Sequence, residues 1–388
     1  MLSARTRWDL TPNRLDALLR AKRAKGVHVL DLTESNPTRA GIDYPPDLLR
    51  PLSRPESLRY EPSPFGLPEA RLAVAQDFAR RGHDVDPEAI VLTASTSEAY
   101  AFLFKVLADP GDEVLVPHPG YPLFEYLARV ESVVPVPYAS TCEGQWRLDA
   151  ESLRRAATPR TRAVVVVHPN NPTGAFVKRE ELDDLRALCR ERSLALLADE
   201  VFADYSFRDD PRRAGSVAGE TDILAFALGG LSKSCGLPQL KLAWIAVAGP
   251  EALRRAALDR LEVVADTFLS VGTPVQRALP SLLERRASLQ RPIADRVKAN
   301  LAALRARLSA DSPVTLLEPE GGWYAVLRIP ATLPEAERVE RLLDERDVLV
   351  HPGYFFDFAQ EAFLVVSLLA PRATFDEGVA RVLDAVVP

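Results

Sequence analysis

The sequence predicts an α/β protein: a mostly parallel, seven-stranded sheet flanked by helices, with a smaller α+β domain beside it. Three observations carry that expectation. Seven short β-rich or apolar runs fall between residues 90 and 248, at Ile90 to Thr93, Glu113 to Pro117, Ser132 to Pro137, Ala163 to His168, Leu194 to Ala198, Ile223 to Leu228 and Leu242 to Ala248. Most are separated by segments with helical periodicity, the alternation of βαβ units whose parallel strands are buried on both faces. After about residue 274 the rhythm changes to long helical stretches followed by a few short strands, which marks a second, smaller unit.

The elements follow in order. Thr11 and Pro12 ahead of Leu15, Leu18 and Leu19, with Gly26 behind them, read as a helix with an N-cap, a first-turn proline and a glycine stop. Val27 to Leu32 reads as a short strand. From Pro45 to Pro68, seven prolines in 24 residues disfavour regular structure and suit a crossing between domains. Within the alternating region, Leu182, Leu185, Leu188 and Cys189 line one face of a helix spanning Lys178 to Arg192. Helical stretches from Thr273 to Leu308 lead to strands at Tyr324 to Ile329, Val348 to Val350 and Phe363 to Leu369, and a last helix begins at Thr374. The expected division is residues 1–45 as an N-terminal part of the small domain, 46–274 as the large domain and 275–388 as the small C-terminal domain.

Composition excludes several classes. The chain has 388 residues, 47% hydrophobic and 26% charged, which is ordinary for a globular protein and leaves no room for long disorder. A net charge of −6, with no basic tract, argues against nucleic acid as a partner. No apolar run approaches the roughly 20 residues of a membrane helix, and the first residues lack a secretory core, so the expected location is cytoplasmic. Cys142, Cys189 and Cys235 are odd in number and far apart, fitting neither a disulfide framework nor a zinc knuckle. The histidines show no metal-ligand spacing, His28 and His83 read as structural or solvated, and no metal site is expected.

In an open parallel sheet, functional groups collect in the loops after the carboxyl ends of the strands. After Ile90 to Thr93 come Ser95, Thr96 and Ser97, whose amides and hydroxyls at a helix N-terminus suit an anion such as a phosphate. A plain Ser/Thr cap explains the same residues equally well. After Ala163 to Val167 comes His168-Pro169-Asn170-Asn171-Pro172-Thr173-Gly174, which also reads as a proline-bounded turn. After Leu194 to Ala198 comes Asp199-Glu200-Val201-Phe202, otherwise a capping carboxylate. After Ile223 to Leu228, Lys233 stands in a Gly/Ser loop, otherwise a solvated amine.

Taken in order, four strand ends offer a phosphate cradle, an amide, a carboxylate and a lysine. Pyridoxal 5'-phosphate needs that set: a helix head for its phosphate, a donor for its ring oxygen, a carboxylate for its ring nitrogen and an amine for its carbonyl carbon. Tyr121, after the strand Glu113 to Pro117, is placed to stack on the ring. The chain carries 7 lysines against 41 arginines, so few amines can serve, and among them Lys233 and Lys241 fall at these strand ends.

Asn-Asn-Pro-Thr-Gly at 170–174, Asp-Glu-Val-Phe at 199–202 and Ser-Lys at 232–233 with Leu-Pro following resemble the motifs of class I/II aminotransferases of pyridoxal-phosphate fold type I. The resemblance runs over nearly the whole chain. It implies that Lys233 is the Schiff-base lysine and proton shuttle, that Asp199 pairs with the pyridine nitrogen, and that these act with Tyr121 as the catalytic group. It further implies that Asn171 donates to the ring oxygen, that Ser95, Thr96 and Ser97 hold the phosphate with Lys241 nearby, and that residues 46–274 form the cofactor-binding domain. Tyr60 would reach the phosphate of a partner subunit, which implies a homodimer acting on an amino acid and a 2-oxo acid.

The chain also departs from the family pattern. Lys241 stands where an arginine is usual, a point charge in place of a fork. Gly230 replaces a common phosphate-binding serine, Phe202 a common tyrosine, and Ser35 a glycine. In Phe363-Leu364-Val365-Val366-Ser367, Val365 occupies the position of the arginine that grips the substrate's α-carboxylate in relatives, leaving Arg372 or Arg328 as substitutes. These departures keep a different reaction on the same cofactor, such as elimination, racemisation or cyclisation, as the alternative to transamination. A nicotinamide-dependent dehydrogenase would need a G-x-G-x-x-G turn after the first strand, and none occurs. A ligand sensor on the same fold would need an additional DNA-binding domain before the first motif.

Overall fold

The computed structural model describes residues 2–309 and 311–386. All seven expected strands of the large sheet form, and an eighth, Trp146–Leu148, folds back as a hairpin on Val134–Cys142. The order across the sheet is Ile90–Thr93, Ala243–Ala248, Ala225–Gly230, Ala195–Asp199, Thr161–Val167, Glu113–His118, Val134–Cys142 and Trp146–Leu148. Two strands, Ala243–Ala248 and Trp146–Leu148, run against the rest. The hairpin strand escaped the sequence reading because three residues carry too little periodicity to register.

Burial on both faces explains the apolar character of these strands. Val164, Val166, Leu196 and Ala198 point into one helical layer, while Ala163, Val165, Val167 and Leu197 point into the other. Helix Arg179–Arg192 covers the first face with Leu182, Leu185, Leu188 and Cys189, as its spacing predicts, and stops at Ser193 in the left-handed region. Helix Thr96–Leu107 covers the second face with Ala99, Phe102 and Leu103.

A second apolar cluster belongs to the smaller unit, a four-stranded antiparallel sheet in the order Thr315–Leu317, Tyr324–Arg328, Phe363–Ser367, His351–Pro352. The expected strand at 27–32 contracts to Leu30–Asp31 and pairs in parallel with Val348–Leu349. The first long helix is Arg14–Ala24, and its N-cap is Asn13, whose side chain accepts the Leu15 N–H at 2.9 Å; Thr11 lies outside it. The proline-dense segment forms two short 3-10 turns, Arg50–Ser53 and Pro55–Leu58.

One lysine departs from its sequence context. Lys178, in a run of charges at a helix start, reads as an ordinary charged-helix residue, yet it is fully buried. Its ammonium lies 2.7 and 2.6 Å from the two carboxylate oxygens of Glu320, which is itself buried and accepts the Phe176 N–H at 2.9 Å. This pair ties the loop after Thr161–Val167 to the segment that leads into Tyr324–Arg328. Among the described residues, no helix is long and apolar enough to cross a membrane, and no cluster of three metal-ligating side chains occurs.

Candidate active site

Strand register sets the candidate groups side by side. Val167 pairs with Asp199, Asp199 with Leu228, and Gly230 with Ala243, which in turn pairs with Thr93, so the loops bearing Asn171, Lys233 and Ser95 open on one edge of the sheet. Tyr121 enters from the loop after Glu113–His118, and the Gly120 N–H donates to the Phe356 carbonyl of the smaller unit at 2.9 Å. The edge is therefore a cleft between the two units.

At the head of helix Thr96–Leu107, the Ser95 hydroxyl accepts the Glu98 N–H at 3.1 Å, and the Glu98 carboxylate accepts from the Ala94 N–H and the Ser270 hydroxyl, each at 2.6 Å. The first-turn N–H groups of Thr96 and Ser97 have no intrahelical acceptor and meet no partner among the described residues. Ser95 is thus a cap, as the plainer reading held, and it leaves a pair of amides and two hydroxyls open beside it.

Asp199 is buried. Its Oδ1 accepts the Val201 N–H at 3.2 Å and its Oδ2 the Tyr100 hydroxyl at 3.3 Å. Burial pushes its pKa up to about 6, against the opposing pull of these donors and of Lys233. Burial likewise lowers the Lys233 amine to about 8, with the Asp199 carboxylate acting the other way. The Lys233 ammonium sits 5.0 Å from the Trp323 ring centre and 5.5 Å from that of Phe202, and makes no hydrogen bond or ion pair among the described residues. The Tyr205 hydroxyl steadies the lysine's own backbone carbonyl at 2.7 Å. Tyr121 packs edge-on against Phe124, and burial holds its phenol at about 12, so it stays neutral.

Asn171 is the clearest vacancy in the hydrogen-bonding pattern. It is buried, its carboxamide oxygen meets no partner among the described residues, and its carboxamide nitrogen, the atom that could donate to a ring oxygen, makes no hydrogen bond there either. Unpaired amides at a helix head, an unpaired carboxamide, a buried carboxylate and an unpaired amine together match the donor and acceptor set of pyridoxal 5'-phosphate.

The remaining sequence candidates are less close. Lys241 is exposed, in the left-handed region with φ 50°, and bears no ion pair among the described residues. Tyr60 is 74% exposed and lines a cavity with Ser270 and Val271. Gly230 has a steric reason: a Cβ there would lie 2.9 Å from that of Ala243, so a serine cannot stand at this position without displacing the neighbouring strand. Ser35 faces the Tyr324 hydroxyl.

Val365 is wholly buried in an apolar cluster with Trp146, Leu317, Val326 and Phe356. Neither proposed substitute replaces an arginine there. Arg372 is engaged by Asp376 at 2.6 Å and by the Ala299 carbonyl at 2.9 Å, and Arg328 is exposed at the far end of the strand that begins at Tyr324. Tyr100, Trp323 and Tyr205 were missed by the sequence reading. The helical spacing puts Tyr100 on a buried face, but nothing local says that its hydroxyl meets a carboxylate 99 residues away.

A family model described as aminotransferase class I and II matches residues 15–382. The chain is 32% identical over 321 residues to the glutamate-pyruvate aminotransferase AlaA of Escherichia coli K12, covering 81% of this chain and 79% of that one. It is 29% identical over 371 residues to the aspartate/prephenate aminotransferase of Thermus thermophilus, covering 93% and 91% of the two chains. Among solved structures, an alanine aminotransferase from Pyrococcus furiosus superposes with a TM-score of 0.89 at 24% identity, over 99% of both chains.

Proposed function

The chain belongs to the class I and II aminotransferases, and from that premise we propose that it moves an amino group from an amino acid to a 2-oxo acid, with pyridoxal 5'-phosphate as its cofactor. The observation that supports this most is the buried, unpaired Lys233 amine within electrostatic reach of the buried Asp199 carboxylate, at the sheet edge that also carries the unpartnered Asn171 side chain. When bound, the cofactor supplies an electron sink that makes the hydrogen on the amino-bearing carbon removable as a proton.

The chain's own residues would do the rest. An amine with a pKa near 8 is unprotonated in about one molecule in ten at neutral pH, so the Lys233 Nζ can accept a proton and return it. Asp199, ionised above about pH 6, offers an anion to a ring nitrogen, and Asn171 offers a donor to a ring oxygen. The head of helix Thr96–Leu107, with Ser95, Thr96 and Ser97, would hold the phosphate while Lys241 supplies charge from the rim. Tyr121 walls one ring face. Trp323 and Phe202 keep water from the amine. Tyr60 would complete the phosphate site of a second copy, making the working unit a homodimer whose large and small domains meet at this cleft.

The apolar setting of Val365 favours one alternative, another pyridoxal-phosphate reaction such as elimination or racemisation, since no arginine stands there to fix an α-carboxylate. Adding an amino donor to the cofactor-loaded protein without any 2-oxo acid separates the two. The expected result is stoichiometric conversion of the cofactor to its amine form, abolished in Lys233→Ala; turnover without that conversion would establish the alternative.

A further inference from the structure

We propose that Tyr100 is a positioning residue that holds the Asp199 carboxylate ionised and fixes its direction, an inference that rests on Asp199 being the partner of the cofactor's ring nitrogen. Tyr100 is 1% exposed, and its hydroxyl lies 3.3 Å from Asp199 Oδ2. That distance is long for an O–H···O bond, and such pairs tighten when the reacting group is in place. Its ring is clamped by Phe124 at 5.3 Å and 89° and by Phe104 at 5.9 Å. The residue follows Ser95, Thr96 and Ser97 on the same helix, so one rigid element presents both the anion cradle and the donor to the carboxylate.

The charge balance around Asp199 gives the hydroxyl its leverage. Val201 donates from the backbone to the other oxygen, and Lys233 faces the carboxylate with opposite charge. Glu200, the neighbouring acid, and Tyr121 add no positive charge. With burial already raising the acid's pKa, the margin by which it stays ionised at neutral pH is about one unit, which the loss of one donor to an anion is enough to remove. A phenylalanine would fill the same apolar space, so the hydroxyl is dispensable for packing.

The test uses the cofactor-free protein and two ligands: pyridoxal 5'-phosphate and its 1-deaza analogue, in which a C–H replaces the ring nitrogen. In Tyr100→Phe, the dissociation constant for pyridoxal 5'-phosphate should rise about twofold at pH 7 and approach a tenfold rise below about pH 6. The pH below which affinity is lost should move up by about one unit, and binding of the analogue should be unchanged. Tyr138→Phe, which removes a buried hydroxyl bonded to the Val165 carbonyl at 2.8 Å, should leave the ratio of the two affinities as in the wild type. Because 3-fluorotyrosine in place of Tyr100 keeps the shape and strengthens the donor, it should move the same pH downward, which gives a readout if the phenylalanine variant folds poorly. Equal weakening of both ligands in Tyr100→Phe, or no weakening of either, overturns the proposal. A wild type that binds both ligands equally would instead overturn the role of Asp199, and one that binds neither would overturn the cofactor reading.

Discussion

Folding moves the Lys233 amine out of water, and its pKa falls from an ordinary 10.5 to about 8. In the cofactor-free protein the sign of the linkage follows directly. Between those two values the unfolded chain still holds the proton that the folded chain has released, so stability rises with pH through that window. The contribution is complete above 10.5 and is lost as pH falls through 8. Urea unfolding at about pH 8 and about pH 10 should show wild type gaining on Lys233→Met, with a slope of at most about 1.4 kcal/mol per pH unit. Parallel stability curves for the two proteins would mean that the amine is hydrated in the fold. Asp199 and Lys233 were legible in the sequence because Asp199 closes a strand, Lys233 follows one within three residues, and each stands in a motif. Tyr100 and Trp323 were not, because their roles arise from contacts between distant segments.

At the level of elements, the Lys178 and Glu320 pair joins the loop carrying Asn171 to the smaller unit. Both side chains are buried, with Asp210 at 3.4 Å as the lysine's further acidic neighbour. Removing one partner leaves the other with only a more distant neighbour, Asp210 for Lys178 or Arg208 at 3.7 Å for Glu320, so Lys178→Met or Glu320→Gln alone should lower stability by about 3 kcal/mol, the low end for a broken buried pair. The double substitution Lys178→Met with Glu320→Met should cost far less than the sum of the two singles; strict additivity in chemical denaturation would show that the charges are hydrated or otherwise paired. Gly174, with φ 70°, makes the same junction tight, since a Cβ there would lie 2.5 Å from the Gly321 carbonyl oxygen. The strands themselves were readable as apolar runs between turns. The junction was not, because a lysine at a helix start gives no local sign that it faces a carboxylate 142 residues later. The eighth strand was missed for want of length, and the Asn13 cap because Thr11 and Pro12 mimic one just upstream.

At the scale of the molecule, Leu58, Tyr60, Val263 and Phe268 expose large apolar side chains, and Tyr60 shares a cavity with Ala265 and Leu269 beside that patch. A homodimer formed through this region would cover the patch and bring Tyr60 to a second copy's cradle. Sedimentation equilibrium should give twice 42.7 kDa, and Phe268→Asp should shift the mass toward one chain while weakening cofactor retention. An unaltered monomer mass in wild type would end the dimer proposal. That a mostly parallel sheet stands beside a smaller α+β unit could be read from the change of rhythm along the chain, but not the pairing of Leu30–Asp31 with Val348–Leu349. Two-residue strands carry no signal of their own, and their partner lies at the other end of the chain. That pairing has a consequence for biosynthesis. The large sheet, contiguous from residue 90 to 248, can assemble while the ribosome is still working, whereas the segment around Leu30 emerges before that sheet and has no strand to join until residue 349 has left the exit tunnel. Residues made before the large sheet are therefore anchored only after it can form, and the cleft that holds Lys233 closes only once residue 349 is free to pair.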